Sequence, residues 1–365
     1  MFNDDFDFSS GRQQAARNIL FWRIAQIALW IVGLIIFLCL LLKPSLGILL
    51  FWNILIPVAP ALLVVAAGVW RNICPLATTN LLPRHLGLSK RKKLSASQAG
   101  KLNLTAVIIL YMIVPLRHPL FNNSGAATAL LIFSMVITGV GLGFIYDWKS
   151  AWCSGLCPIH PVEKLYGENA LVTVPNAHCL ACVNCVKPCP DSTPNIHPGA
   201  SSKTIWHRIS GLLIIGGLPG FIWGWFHVSD EARINSISSF FGVYEMPVAG
   251  AVITFIAYCI LLFTLKPAFE RKLIGFFAAL AVSCYYWFRI PCLLGFGNFA
   301  DDGLLIDLKG IIPEWAVFVM VSSTAIFFFY WLFIRNQNKK SWLIRPEFAE
   351  SRVVKNRKLA TGDFS

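Results

Sequence analysis

The stretch "GAATALLIFSMVITGVGLGFIY" (residues 125–146) carries no charged side chain, and "DWKSAWCSGLCP" (residues 147–158) follows it directly. A run of about 20 apolar residues is what one helix needs to cross a hydrocarbon core roughly 30 Å thick. Lipid offers the backbone no other partners, so such a run must close its own hydrogen bonds as a helix. Comparable runs recur outward in both directions, near 19–42, 47–70, 103–116, 205–227, 247–265, 273–290 and 315–334. The 365-residue chain is 56% hydrophobic and 13% charged, about half the charged share of a soluble domain. The pattern predicts an all-α polytopic membrane protein of about eight transmembrane helices. The first run follows Asp4, Asp5 and Asp7 and has no small-residue cleavage site after it, so it is expected to stay as a span.

The formal net charge of +13 is distributed for topology, and no nucleic-acid partner is expected. Arg71, Arg84, Lys90, Arg91, Lys92, Lys93 and Lys101 fall in one loop, Lys266, Arg271 and Lys272 in another, and the rest of this group in the tail. Acidic residues such as Asp230, Glu231, Asp301 and Asp302 occupy the alternate loops. The positive-inside rule then places both termini and the cysteine-rich segment in the cytoplasm of a bacterial inner membrane. The expected organisation is a cytoplasmic segment 1–18, spans one to four over 19–146 with a basic loop 71–102, a cytoplasmic iron–sulfur domain 147–204, spans five to eight over 205–334, and a basic tail 335–365. Lipid is the first partner, through the spans and the basic loops.

The hydrophilic segment 147–204 is too small to be stable on apolar burial alone. In a reducing compartment its cysteines are better read as metal ligands than as disulfides. Cys179, Cys182, Cys185 and Cys189, followed by Pro190, reproduce the spacing C-x2-C-x2-C-x3-C-P, which presents thiolates to the corners of a [4Fe-4S] cluster. A zinc ribbon would show two separated C-x2-C pairs. Seven cysteines lie on the cytoplasmic face, because Cys74, Cys153 and Cys157 join these four. Two all-cysteine clusters need eight, so a second cluster would take a ligand such as His160 or His178, or leave an iron open. The simplest closed set is Cys179, Cys182, Cys185 and Cys189; in the alternative, Cys157 or Cys74 replaces Cys189, which joins the others. Cys39, Cys259 and Cys284 lie inside apolar runs and read as small hydrophobes.

Ferredoxin cysteines on a loop between spans, preceded by C-x3-C-P at a span end, resemble the membrane-bound polyferredoxins that serve periplasmic nitrate and nitrous oxide reductases. The likeness is carried by "WRNICPL", "WCSGLCP" and "CLACVNCVKPCP" between Val69 and Pro198. One ferredoxin run is complete here, and Trp70 stands where an earlier C-x3-C-P would begin. The resemblance implies electron transfer at the quinone pool, or support for the assembly of a partner reductase.

The function expected from this reading is relay of single electrons, through the cluster, between the quinone pool or a soluble carrier and a partner redox complex. It is that of a subunit more than of a stand-alone enzyme, and no catalytic residue is assigned. An assembly or redox- and iron-sensing protein is the alternative. Lys149, Lys164 and Lys187 flank the cysteine motifs and would dock an acidic carrier or face solvent. No C-x-x-C-H occurs, so covalent haem is excluded. His118, His207 and His227 read as interfacial groups, and haem b is not expected. Arg117 and Arg289 are expected to face outward beside Tyr285, Tyr286 and Trp287 as interface anchors. The three glycines 139, 141 and 143, and Gly216, Gly220 and Gly224, read as close-packing faces. The spans show few ionisable residues of the kind that line a substrate path.

Overall fold

A computed structural model describes residues 16–146, 151–167, 170–177, 204–229, 236–299, 303–335 and 343–344. Among them are eight helices long and apolar enough to cross a membrane: Leu20–Leu42, Pro44–Asn80, Ala96–Phe121, Gly125–Ile145, Ile205–Trp225, Ile237–Thr264, Pro267–Leu293 and Glu314–Ile334. The chain is thus a multi-pass α-helical bundle. The fifth and seventh spans form its centre, with 67% of their apolar windows buried, against 17% for the first and sixth, which turn large apolar side chains outward. The main core gathers Ile214, Phe221, Trp225, Tyr258, Ala278 and Val282.

The second, third, sixth and seventh spans are longer than periodicity predicts, and local chemistry explains the first three of these. The third begins at Ala96 because Ser95 and Gln98 form a reciprocal capping box, which lets the polar stretch before residue 103 serve as the first helical turns. Ser236 and Ser239 do the same for the sixth, ten residues ahead of the apolar run. The second continues past Cys74 to Asn80, so the residues expected to open a basic loop at 71 are helical. Arg71 is therefore interior, not a loop charge. The second span also breaks at Ala66, at φ −149° and ψ 57°, and the Val65 carbonyl is satisfied by the Leu171 and Val172 N–H groups at 2.7 and 3.3 Å.

The described residues after the fourth span, 151–167 and 170–177, pack against the bundle. Trp152 packs against Gly139, and the short helix Ile159–Tyr166 puts Leu165 and Tyr166 into the main core. Further on, Val174–Pro175 pairs in parallel with Leu343–Ile344, so part of the tail lies beside the segment that leads to the cysteine run. Those two-residue strands form the one small sheet among the described residues.

Several expected surface groups are interior. Arg117 and Arg289 are each 2% exposed and Tyr285 and Tyr286 are buried, while Trp287 alone of the anchor set is exposed, at 39%. Tyr286 is held inside by its hydroxyl, which donates to the Pro57 carbonyl at 2.6 Å and accepts from the Ala61 N–H at 2.9 Å. His118 and His207 are buried as well. With Arg71, three spans each carry one buried guanidinium. Lys164 is also buried, so it is not a docking charge.

The glycine faces divide. A Cβ on Gly220 would strike the Gly250 carbonyl and one on Gly224 that of Met246, which is the backbone-to-backbone approach small residues permit. Gly143 lies against the Asn80 carbonyl, but Gly141 has nothing within 4 Å, so only part of the 139–143 group packs. Gly220→Leu should therefore destabilise the bundle by at least about 1–3 kcal/mol through forced separation of two helices. Gly141→Ala should be neutral or stabilising by about 0.5–1 kcal/mol, from helix propensity alone. Thermal unfolding in detergent compares the two, and equal effects would contradict the packing described.

Candidate functional site

Two Cys-Pro steps build the cysteine-bearing end. A residue before proline is driven out of the helical region, and proline itself suits the first turn of a helix. Cys74 accordingly ends one helix at φ −57°, ψ 119° and Pro75 starts the next. Cys157 repeats this at φ −61°, ψ 120° ahead of Pro158 and the helix Ile159–Tyr166. The two thiols are close enough to interact electrostatically, and the Ile159 N–H favours the Cys157 thiolate, while the His160 N–H donates to the Cys157 carbonyl at 3.0 Å. Burial pushes the Cys157 thiol up to about 12, and Cys74 adds to the effect. Backbone N–H groups aimed at sulfur favour the thiolate that a metal requires, and a coordinated cation deprotonates a thiol outright.

Behind the pair lies a buried charged network. Arg71 donates Nε–H to Glu163 Oε1 at 2.8 Å and Nη2–H to Oε2 at 2.9 Å, a two-bond fork in which the two residues are 4% and 3% exposed. Arg71 Nη2 also lies 3.0 Å from His160 Nδ1. The same Nδ1 lies 3.3 Å from Glu163 Oε2; the guanidinium can only donate to it and the carboxylate can only accept from it, so the two contacts call for opposite tautomers of the ring. Burial holds the imidazole down to about 4. Burial alone would raise the Glu163 carboxyl, but Arg71 and His160 hold it below the usual carboxylate value. At neutral pH the network is therefore one guanidinium, one carboxylate and one neutral imidazole, fixed three residues from Cys157 on one side and from Cys74 on the other.

Asn72, fully buried, joins this end to the segment before the ferredoxin run. Its Nδ2 donates to the Pro175 carbonyl at 2.8 Å and its Oδ1 accepts from the Ala177 N–H at 3.2 Å, while its own carbonyl accepts from Gln26. Ala177 is two residues before Cys179. Cys153 stands differently, with Asn80 Nδ2 donating to its sulfur at 3.8 Å.

No protein-family model, curated protein or solved structure matches this chain. What can be said of the site therefore rests on its own residues.

Cys179, Cys182, Cys185 and Cys189 lie outside the described residues, as do His178, His197, Lys149 and Lys187. The fold brings Cys74 to Cys157 and puts His160 in the charged network. Among the described residues no three histidine, cysteine or acidic side chains gather closely enough to hold an ion, so Cys74, Cys153 and Cys157 do not form a metal site by themselves. Two half-buried thiols, one of them beside a backbone N–H, suit a pair of ligands completed from elsewhere. Sequence reading passed over Glu163 and Asn72. The spacing His160-x-x-Glu163, which aligns both on one helix face, and the polar pair Arg71-Asn72 inside an apolar helix were the available signals.

At the opposite end of the bundle, His118 Nε2 lies 3.1 Å from the Trp225 carbonyl and His227 Nδ1 lies 2.7 Å from the Trp223 carbonyl. Carbonyls only accept, so both nitrogens carry protons and neither is a metal-binding lone pair in this arrangement.

Proposed function

We propose that this chain is a membrane-embedded iron–sulfur electron-transfer protein, in which Cys179, Cys182, Cys185 and Cys189 hold a [4Fe-4S] cluster at the cytoplasmic face. The cysteine spacing motivates the cluster. The observation that carries the reading is the Asn72 clamp: it fixes the backbone at Pro175 and Ala177 against the helix end that bears Cys74, beside Cys157. A cluster ligated just beyond Ala177 would thus sit at the bundle end rather than on a free tether.

The cluster supplies one-electron chemistry when bound; the protein supplies its place and its electrostatics. Arg71, Asn72 and Gln26 brace the base, the Cys-Pro turns carry Cys74 and Cys157 at the same end of the bundle, and the neutral His160 adds no second cation. A quinone or a soluble carrier on one side and a partner redox complex on the other are the proposed exchange partners, reached at this end of the bundle.

Iron and acid-labile sulfide analysis with low-temperature EPR of the anaerobically purified, dithionite-reduced protein tests the proposal. About four irons and one spin per chain are expected for a single cluster. About eight irons with interacting spins would mean that Cys74, Cys153 and Cys157 contribute to a second centre. Zinc without iron would end the electron-transfer reading.

A further inference from the structure

One basic loop is fixed at the edge of the bilayer. The fourth span, Gly125–Ile145, is 21 residues long, roughly 31 Å of helix and so the thickness of the hydrocarbon core. The last carbonyls of a helix have no partner within it, and here the loop joining the second and third spans supplies donors. The Lys90 N–H donates to the Phe144 carbonyl at 2.7 Å and the Lys92 N–H to the Ile145 carbonyl at 3.0 Å. Ser89 Oγ donates to the next carbonyl, of Tyr146, at 3.3 Å. Between the two bonded lysines Arg91 takes the left-handed backbone, φ 52°, which a residue with a side chain rarely adopts unless its neighbours impose it. The loop therefore lies at headgroup depth and is held there.

Two kinds of side chain are presented at that depth. Lys90, Arg91, Lys92 and Lys93 are all exposed. So are Leu86 and Leu88, on either side of Gly87, whose φ of 72° turns the chain. On the flank, partial burial together with Arg23 and Arg84 holds the His85 imidazole below its ordinary value, so the first span brings a guanidinium close to the loop. No aspartate or glutamate occurs between Asp7 and Asp147, so the loop and spans one to four contribute no carboxylate. Cations beside an anionic leaflet are drawn to its phosphates, and leucines at the same level enter the acyl boundary. A loop attracted only as diffuse charge needs neither the apolar tip nor backbone fixation to a span.

We propose that this loop is a site for an anionic phospholipid, in which Lys90, Arg91, Lys92 and Lys93 engage the headgroup phosphate and Leu86 and Leu88 enter the acyl boundary beside it. The lipid belongs to the leaflet at the end of the bundle that carries the Cys-Pro turns, since the Gln26 side chain of the first span, one turn from Arg23, donates to the Asn72 carbonyl there. The site does not depend on the iron–sulfur reading, because it uses no cysteine.

The full chain, purified in a neutral maltoside detergent and stripped of lipid, is mixed with equal amounts of phosphatidylglycerol and phosphatidylcholine of the same acyl chains, and the retained lipid is identified by native mass spectrometry. Phosphatidylglycerol should be retained in preference, and the preference should fall with added salt. Lys92→Gln with Lys93→Gln should reduce it about 20- to 30-fold, at about fivefold for each cation removed. Both side chains are exposed, so thermal unfolding without lipid should stay at the wild-type midpoint. Leu86→Ser with Leu88→Ser should weaken phosphatidylglycerol retention in the same direction. Lys266→Gln with Lys272→Gln, the same charge change in the segment joining the sixth and seventh spans, should leave the preference within about twofold, below the effect of one cation. Equal losses from the two lysine pairs would mean diffuse attraction and overturn the site. Equal retention of the two lipids overturns it, as does binding of glycerol-1-phosphate as tight as that of phosphatidylglycerol, which would mean a site for a free anion. An unchanged preference in the Lys92 and Lys93 pair leaves those cations to a soluble acidic partner and overturns the lipid. A preference that appears only in Asp147→Asn, whose residue lies outside the described ones and directly follows Tyr146, also overturns it, because the chain would then supply the loop's counter-charge.

Discussion

Replacing Glu163 by glutamine lowers the stability of the bundle by about 3–5 kcal/mol, the cost of leaving a buried charge without its partner. Arg71 is then a guanidinium at the end of a span with a neutral amide in place of a carboxylate. The paired change Arg71→Met with Glu163→Leu should recover most of that loss, since removing both charges avoids the uncompensated one. Thermal unfolding in detergent compares the three proteins. A loss within about 0.5 kcal/mol for Glu163→Gln, the scale of exposed ion pairs, would contradict the buried fork.

The same network sets an acid limit. His160 is neutral in the fold and takes a proton only at about 4, against an ordinary 6.5. Its contribution is fully present above pH 6.5 and is lost as pH falls from 6.5 toward 4. Glu163 titrates below its ordinary 4.5, so its contribution is present above pH 4.5 and disappears as pH falls through the folded value. The two signs agree, and the unfolding midpoint should drop as the pH is taken from 6.5 to 4.

Cys182→Ser removes nearly all of the iron, whereas Cys153→Ser keeps it, when the two variants are purified anaerobically and analysed beside the wild type. Cys182 is the central member of the ferredoxin run, and one lost thiolate leaves an iron corner without its ligand. Cys153 is differently placed: Asn80 donates to its sulfur, and its backbone lies within the turn that leads to Cys157. Loss of about half the iron from Cys153→Ser would sink the single-cluster reading and mean that a second centre is built around the Cys-Pro turns. Full iron retention in Cys182→Ser would remove the ferredoxin run from the site altogether.

The sequence by itself determined the membrane class and the number of helices, because lipid forces every spanning backbone to satisfy itself and so ties structure to unbroken apolar length. It also marked the two Cys-Pro steps, since the steric rule at proline acts between neighbours. Capping extended the third and sixth spans beyond their apolar runs, which hydropathy alone does not register. Tertiary structure decided the rest. Arg71, Arg117 and Arg289 read as loop or interface charges from the positions they occupy in the chain, yet each is interior, because acceptors from distant segments make burial tolerable: Glu163 for the first and Asn53 for the other two. Asn72 likewise acquires its meaning only when Pro175 and Ala177 reach it across 103 and 105 residues. A local pattern reports what a residue can do with its neighbours, while the cost of burying a charge or an amide is met only by partners that the fold brings from afar.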